Sequence, residues 1–102
     1  MEQTLKSDNY NIIRKGIESK KISALITNYS LNQVLCKLMK ANGVSLIIDL
    51  DELIKKEKKE KALFLKKILN NAKLCRKYKV EIIIKAEKMN KAEILAIKSL
   101  LI

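Results

Sequence analysis

Three carboxylates, Asp49, Asp51 and Glu52, stand together directly after an apolar run. Oxygen ligands so placed suit Mg²⁺, and the C-terminal end of a strand is where α/β folds gather their active sites. The competing reading is local: an Asp ahead of a helix caps free N–H groups and complements the helix dipole. The sequence contains no histidine. That removes the commonest general base, the usual zinc ligand and the base of Ser-His and Cys-His pairs. Cys36 and Cys75 are far apart and each falls in a helical pattern, which reads as reduced core thiols rather than a disulfide framework. Two glycines are too few for a phosphate-cradling loop. A Mg²⁺-dependent enzyme built on Asp49, Asp51 and Glu52 stands as an alternative; nothing else in the chain converges on it.

The second chemistry on offer is cationic. The formal net charge is +11, with 22 Lys and Arg against 11 Asp and Glu. Such an excess favours a polyanion through phosphate neutralisation and counterion release. The cations are almost all lysine, and only Arg14 and Arg76 are arginine. Bidentate reading of base edges is therefore disfavoured, and contact with a nucleic acid is expected to be contact with its backbone. Lys55, Lys56, Lys58 and Lys59 form the densest run, read either as an RNA-facing patch or as a solvated helix start. Lys20-Lys21 is a weaker version of the same choice. Arg76-Lys77-Tyr78-Lys79 closes a long helix, where positive charge complements the dipole whatever its function. Tyr29 and Tyr78 suit base stacking, yet three tyrosines and one phenylalanine are too few for a stacking platform.

These residues need elements to hold them. At 102 residues the chain is expected to be a single domain, residues 1–102, with no internal linker. Residues 1–9 are polar and expected to be loose. Residues 10–19 suit a short helix burying Ile12, Ile13 and Ile17. Ile22–Ile26 reads as a buried strand. Ser30 or Asn28 is the candidate N-cap of the next helix, whose apolar stripe is Leu31, Val34, Leu35, Leu38 and Met39. Asn42-Gly43 ends that helix, because glycine accepts the left-handed C-cap conformation. Val44–Ile48 is a continuous apolar run, as in parallel strands covered on both faces. Asp49–Leu53 begins a turn of helix. A long helix then runs to about Tyr78 with Leu65, Ile68, Leu69, Ala72 and Cys75 on one face. Val80–Ile84 is a third strand, and Asn90 caps a last helix burying Ile94, Ile97 and Leu101. Three strands separated by helices imply right-handed βαβ units and a parallel sheet. The expected class is α/β, either a small open three-stranded parallel sheet or part of a (β/α) barrel. No run approaches a membrane span, and the polar N-terminus lacks a signal-peptide core, so a cytoplasmic protein with no membrane partner is expected.

Three segments, in this order and spacing, resemble the archaeal and eukaryotic ribonuclease P protein component 3 family. They are Ile22–Ile26 leading into Leu31-Asn32-Gln33-Val34-Leu35-Cys36-Lys37-Leu38; Asn42-Gly43-Val44 through Ile48 into Asp49-Leu50-Asp51-Glu52-Leu53-Ile54; and Leu74-Cys75-Arg76-Lys77-Tyr78-Lys79-Val80 into the strand to Ile84. The resemblance implies a partial (β/α) barrel, TIM-barrel-like and PHP-related. It implies a non-catalytic protein subunit of the RNA-based endonuclease that matures tRNA 5′ ends. Its implied partners are ribonuclease P RNA, pre-tRNA and protein component 2. Mg²⁺ is expected on the partner RNA, with no cofactor bound by the protein. Asn32, Lys37, Lys77 and Lys79 are the matched polar and basic residues, expected to face RNA or a partner. The chain departs from the family pattern: it lacks the first barrel strands, Asn28-Tyr29-Ser30 replaces Arg-x-Ser-Gly, Gln33 stands where histidine is common, and Lys85–Asn90 is shortened. The departures imply that a second chain, or self-association, completes the barrel. A small α/β interaction module with no RNA role is the alternative from a different class.

Overall fold

The computed structural model describes residues 3–87 and 90–101. The chain runs β1 (Thr4–Lys6), α1 (Tyr10–Glu18), β2 (Ala24–Ile26), α2 (Gln33–Asn42), β3 (Ser45–Asp49), α3 (Leu50–Ile54), α4 (Lys58–Lys77), β4 (Ile82–Lys85) and α5 (Lys91–Leu101). The strands form one sheet in the order β1-β2-β3-β4, and every neighbouring pair is parallel. The α/β class with parallel βαβ units is thus as expected, but with four strands instead of three. The extra strand lies inside residues 1–9, which the sequence leaves without an element. Thr4-Leu5-Lys6 has one apolar residue between two polar ones, so no run marks it. It is a strand because its backbone pairs with β2, Leu5 opposite Leu25.

Local chemistry sets the helix ends. Asn9 caps α1, its Oδ1 accepting from the N–H groups of Asn11 at 2.9 Å and Ile12 at 3.2 Å. Asn32, not Ser30 or Asn28, caps α2, accepting from Leu35 N–H at 2.9 Å. The start is delayed because Asn71 of α4 ties down Tyr29 and Leu31 ahead of it, as described below. Helices α2 and α4 end alike. In α2 the Val44 N–H bonds Met39 O at 2.8 Å, and in α4 the Val80 N–H bonds Cys75 O at 2.8 Å. Each is a Schellman closure over a left-handed residue. That residue is Gly43 (φ 67°) after α2 and Lys79 (φ 60°) after α4. Asn90 caps α5 through Glu93 N–H at 2.8 Å.

The helices make one layer, α1 packing on α2, α2 on α4 and α4 on α5. Leu5, Leu25, Leu46, Ile48, Ile82 and Ile84 point from the sheet into it. Full burial of Ile13, Ile17, Leu25, Leu35, Met39, Leu46 and Leu50 contributes about 1.5–3 kcal/mol for each side chain. Gly16 lets α1 lie close on β1: a Cβ there would stand 2.6 Å from Leu5 Cδ2. Two expected core residues are exposed, Ile12 and Val34. On α2 the buried arc shifts to Leu35, Cys36 and Met39, because the helix is flanked by α1 on one side and α4 on the other. Ile94 is half-buried; the side chains of Ile97 and Leu101 lie outside the described residues. The other sheet face carries Ile26, Ile47 and Ile83, none of which joins the core. No described helix is long and apolar enough to cross a membrane.

Candidate nucleic-acid interface

The matched polar residues from two distant segments meet around one ring. Tyr78 follows the last turn of α4, and its hydroxyl donates to Gln33 Oε1 at 3.0 Å. Lys37, one turn along α2 from Gln33, places its Nζ 5.9 Å from the Tyr78 ring centroid, and Lys77 places its own at 5.7 Å. Cation–π contacts at such an exposed site contribute about 0.5–1 kcal/mol each. Both ammonium groups keep donors free for solvent or phosphate. Lys79 follows with its exposed side chain on a left-handed backbone. Asn32 is partly withdrawn from this group, since its carbonyl oxygen serves the α2 N-terminus. Of the matched residues, then, Lys37, Lys77 and Lys79 are exposed, and Asn32 caps the helix that carries Lys37.

The second basic group is separate. Lys58 and Lys59 open α4 while Lys77 closes it, so the two groups lie a helix length apart, about 30 Å. Lys55 is paired with Glu52 at 3.6 Å, and Lys56 lies over the Phe64 ring at 5.2 Å. Glu57 and Glu60 are interleaved among these lysines. This end therefore carries charge of both signs.

The carboxylates act locally. Asp49 caps α3, its Oδ1 accepting from Asp51 N–H at 3.1 Å. Asp51 is buried and its Oδ2 accepts from Glu87 N–H at 3.0 Å, tying α3 to the segment after β4. Among the described residues no group of three or more His, Cys, Asp or Glu converges as metal ligands. Capping is the role the geometry gives Asp49, and nothing aims the three carboxylates at one point. Beside them, β2 and β3 part company: their pairing is recorded at Ala24–Ser45 and Leu25–Leu46, whereas β3 stays paired with β4 as far as Asp49–Lys85. A cavity of about 200 Å³ opens there, lined among others by Ile26, Ile47, Phe64, Lys6, Asp49 and Lys56. No side chain in it is a nucleophile paired with a base.

The thiols are buried and meet across the α2–α4 contact. The hydrogen bond with Cys36, reinforced by burial, pushes the Cys75 thiol above its ordinary range. A thiol held neutral is no nucleophile.

Sequence reasoning overlooked Asn71. It is buried on α4, its Oδ1 accepts from Leu31 N–H at 2.9 Å, and its Nδ2 donates to Tyr29 O at 2.9 Å. It thereby sets the entry to α2 and the position of Gln33. A polar residue beside Ile68, Ala72 and Cys75 on an apolar helix face was the available signal.

The sequence matches no family model and no curated protein. The fold is similar to that of a chain in the cryo-EM structure of archaeal ribonuclease P with mature tRNA. The TM-score is 0.85 at 22% identity, and the match covers 97% of this chain and 48% of that one. This chain thus spans about half the length of the chain it matches.

Proposed function

We propose that this chain is a protein subunit of ribonuclease P, of the component 3 type, which supports the catalytic RNA in maturing tRNA 5′ ends and performs no chemistry of its own. The observation that carries the reading is the fold match over nearly the whole chain to part of an archaeal ribonuclease P–tRNA complex. The net charge of +11 supports it, as does the meeting of Lys37, Lys77 and Tyr78 from two matched segments. In this reading Mg²⁺ sits on the RNA, the protein partner is component 2, a second four-stranded half covers the open sheet face, and the complex works in the cytoplasm. The role of the lysines is to neutralise RNA phosphates, because lysine is a point charge without the bidentate fork that reads bases.

Affinity purification of the tagged chain from its native cells tests this. Ribonuclease P RNA and a component 2 protein are expected in the eluate. Recovery of neither, at salt low enough to preserve phosphate contacts, overturns the assignment and leaves the interaction-module reading.

A further inference from the structure

The two ends of the fold differ in charge, and Lys37, Lys66, Lys67 and Lys73 lie along α2 and α4 between them. The segments leading into the four strands lie side by side: Ser23 N–H bonds Gln3 O at 2.8 Å, Ser45 N–H bonds Ser23 O at 2.9 Å, and Leu46 N–H bonds Glu81 O at 2.8 Å. Asn42 Nδ2 also donates to Ile17 O at 2.9 Å, joining the ends of α1 and α2. This rim, formed by helix C-termini and strand starts, carries Lys15, Lys20, Lys21, Lys40, Lys77 and Lys79, all exposed. Its described carboxylates are two, and both are engaged: Glu18 with Arg14 at 2.7 Å, and Glu81 with the Ser45 hydroxyl at 3.1 Å. Every other described carboxylate, from Asp8 to Glu93, lies at the opposite end, among Lys6, the Lys55–Lys61 run, Lys85 and Lys91. That end is near balance, and the rim is not.

Dipole complementation explains part of the rim only. Lys15, Lys40 and Lys77 sit in the last turns of α1, α2 and α4, where a cation is favourable in any protein. Lys20, Lys21 and Lys79 lie beyond the helices. Lys20 and Lys79 moreover hold left-handed backbones, φ 59° and 60°, which are unfavourable for a residue with a side chain. Helix α2 closes with glycine at the position where α4, in the same Schellman closure, has Lys79. Glycine would hold these two backbones with less strain, so backbone geometry alone does not account for lysine there.

We propose that the rim at the strand N-termini, centred on Lys20, Lys21 and Lys79 with Lys40 and Lys77 beside them, is the surface that docks on the phosphate backbone of RNA, and that the Lys55–Lys59 end is not. This rests on the ribonuclease P reading for the identity of the RNA. It places the contact opposite the strand ends where α/β folds keep their catalytic groups.

The test compares two variants of the full chain, K20G/K21Q/K79G and K55Q/K56Q/K58Q/K59Q, by titration against labelled mature tRNA and a ribonuclease P RNA transcript over a range of salt. Glycine at 20 and 79 relieves the backbone, so the first variant is expected to melt no lower than the parent. It is expected to bind about a hundredfold more weakly at 0.15 M salt, with the slope of log K against log salt smaller by about 3. The second variant, though it loses more charge, is expected to stay within a few-fold of the parent. K20R/K21R/K79R is expected to bind like the parent, which separates charge from any change in folding. Equal weakening of both variants, or weakening of the second alone, overturns the rim and leaves the ribonuclease P reading standing. A parent chain that binds neither RNA overturns both.

Discussion

Asn71 shows how one buried amide organises the interface from a distance. Its carboxamide is the partner of Leu31 N–H and of Tyr29 O, so it fills one donor and one acceptor need of a chain segment that packs against the core. Replacing it by leucine keeps the branched side-chain shape and strands both backbone groups. Leaving buried polar groups without partners costs about 1–3 kcal/mol apiece, so Asn71→Leu is expected to lower unfolding free energy by about 2–4 kcal/mol in urea titrations. Asn71→Asp keeps the acceptor for Leu31 and, when protonated, offers an O–H donor to Tyr29 O, so it is expected to do less harm than leucine at acidic pH. If Asn71→Leu unfolds at the parent's urea midpoint, the two contacts do not set the α2 entry. The same residue explains a misplaced cap. Ser30 and Asn28 have capping chemistry, but the bonds from Asn71 keep Tyr29 and Leu31 out of the helix, and Asn32 is the first residue free to cap. No local pattern in residues 27–33 reveals a partner forty residues away.

At the scale of elements, the strong periodic signals were legible and the paired or contextual ones were not. The 3.6-residue stripe of α4, the Gly43 stop and the β-branched run of β4 each predict their element, with ends shifted by a residue or two. Strand β1 was not legible, because an edge strand of three residues owes its existence to pairing with β2 rather than to composition. The rotation of α2 was missed for a similar reason: a stripe predicts one buried face, whereas α2 is contacted on two sides and buries Cys36 in place of Val34. That rotation brings Cys36 against Cys75 and yields a pH dependence. A Cys75 pKa raised in the folded state means that the native protein holds a proton which the unfolded chain releases at ordinary thiol pH. Its contribution is therefore fully present below the ordinary thiol range and declines as pH rises through it, by up to about 1.4 kcal/mol per pH unit for one proton. Urea midpoints are expected to fall more steeply between pH 8 and about 10 for the parent than for Cys75→Ala, and equal slopes would show that the thiol pair carries no such linkage.

The whole molecule has an uncovered side. Helices lie on one face of the sheet, and the other offers Ile26, Ile47 and Ile83, the last 41% exposed, between the open edge strands β1 and β4. The four strands, each with a helix following it, are the parallel repeat from which eight-stranded (β/α) barrels are built, and the matched chain is about twice as long as the portion this chain covers. A twofold axis along the strands would bring β4 of each copy beside β1 of the other, with all strands still parallel and the isoleucines enclosed. Closing both β1–β4 junctions leaves no free strand edge, so a closed pair is favoured over a fibre. Sedimentation equilibrium at micromolar concentration is accordingly expected to give about twice the 11.7 kDa chain mass, and Ile83→Lys, which sets a charge in the enclosed layer at a site that tolerates it in the monomer, is expected to return the single-chain mass. A parent that stays at one chain mass at its highest soluble concentration rules out a second copy as the covering half. If a different chain supplies it, Ile83→Lys is expected instead to reduce recovery of one specific protein in the affinity purification.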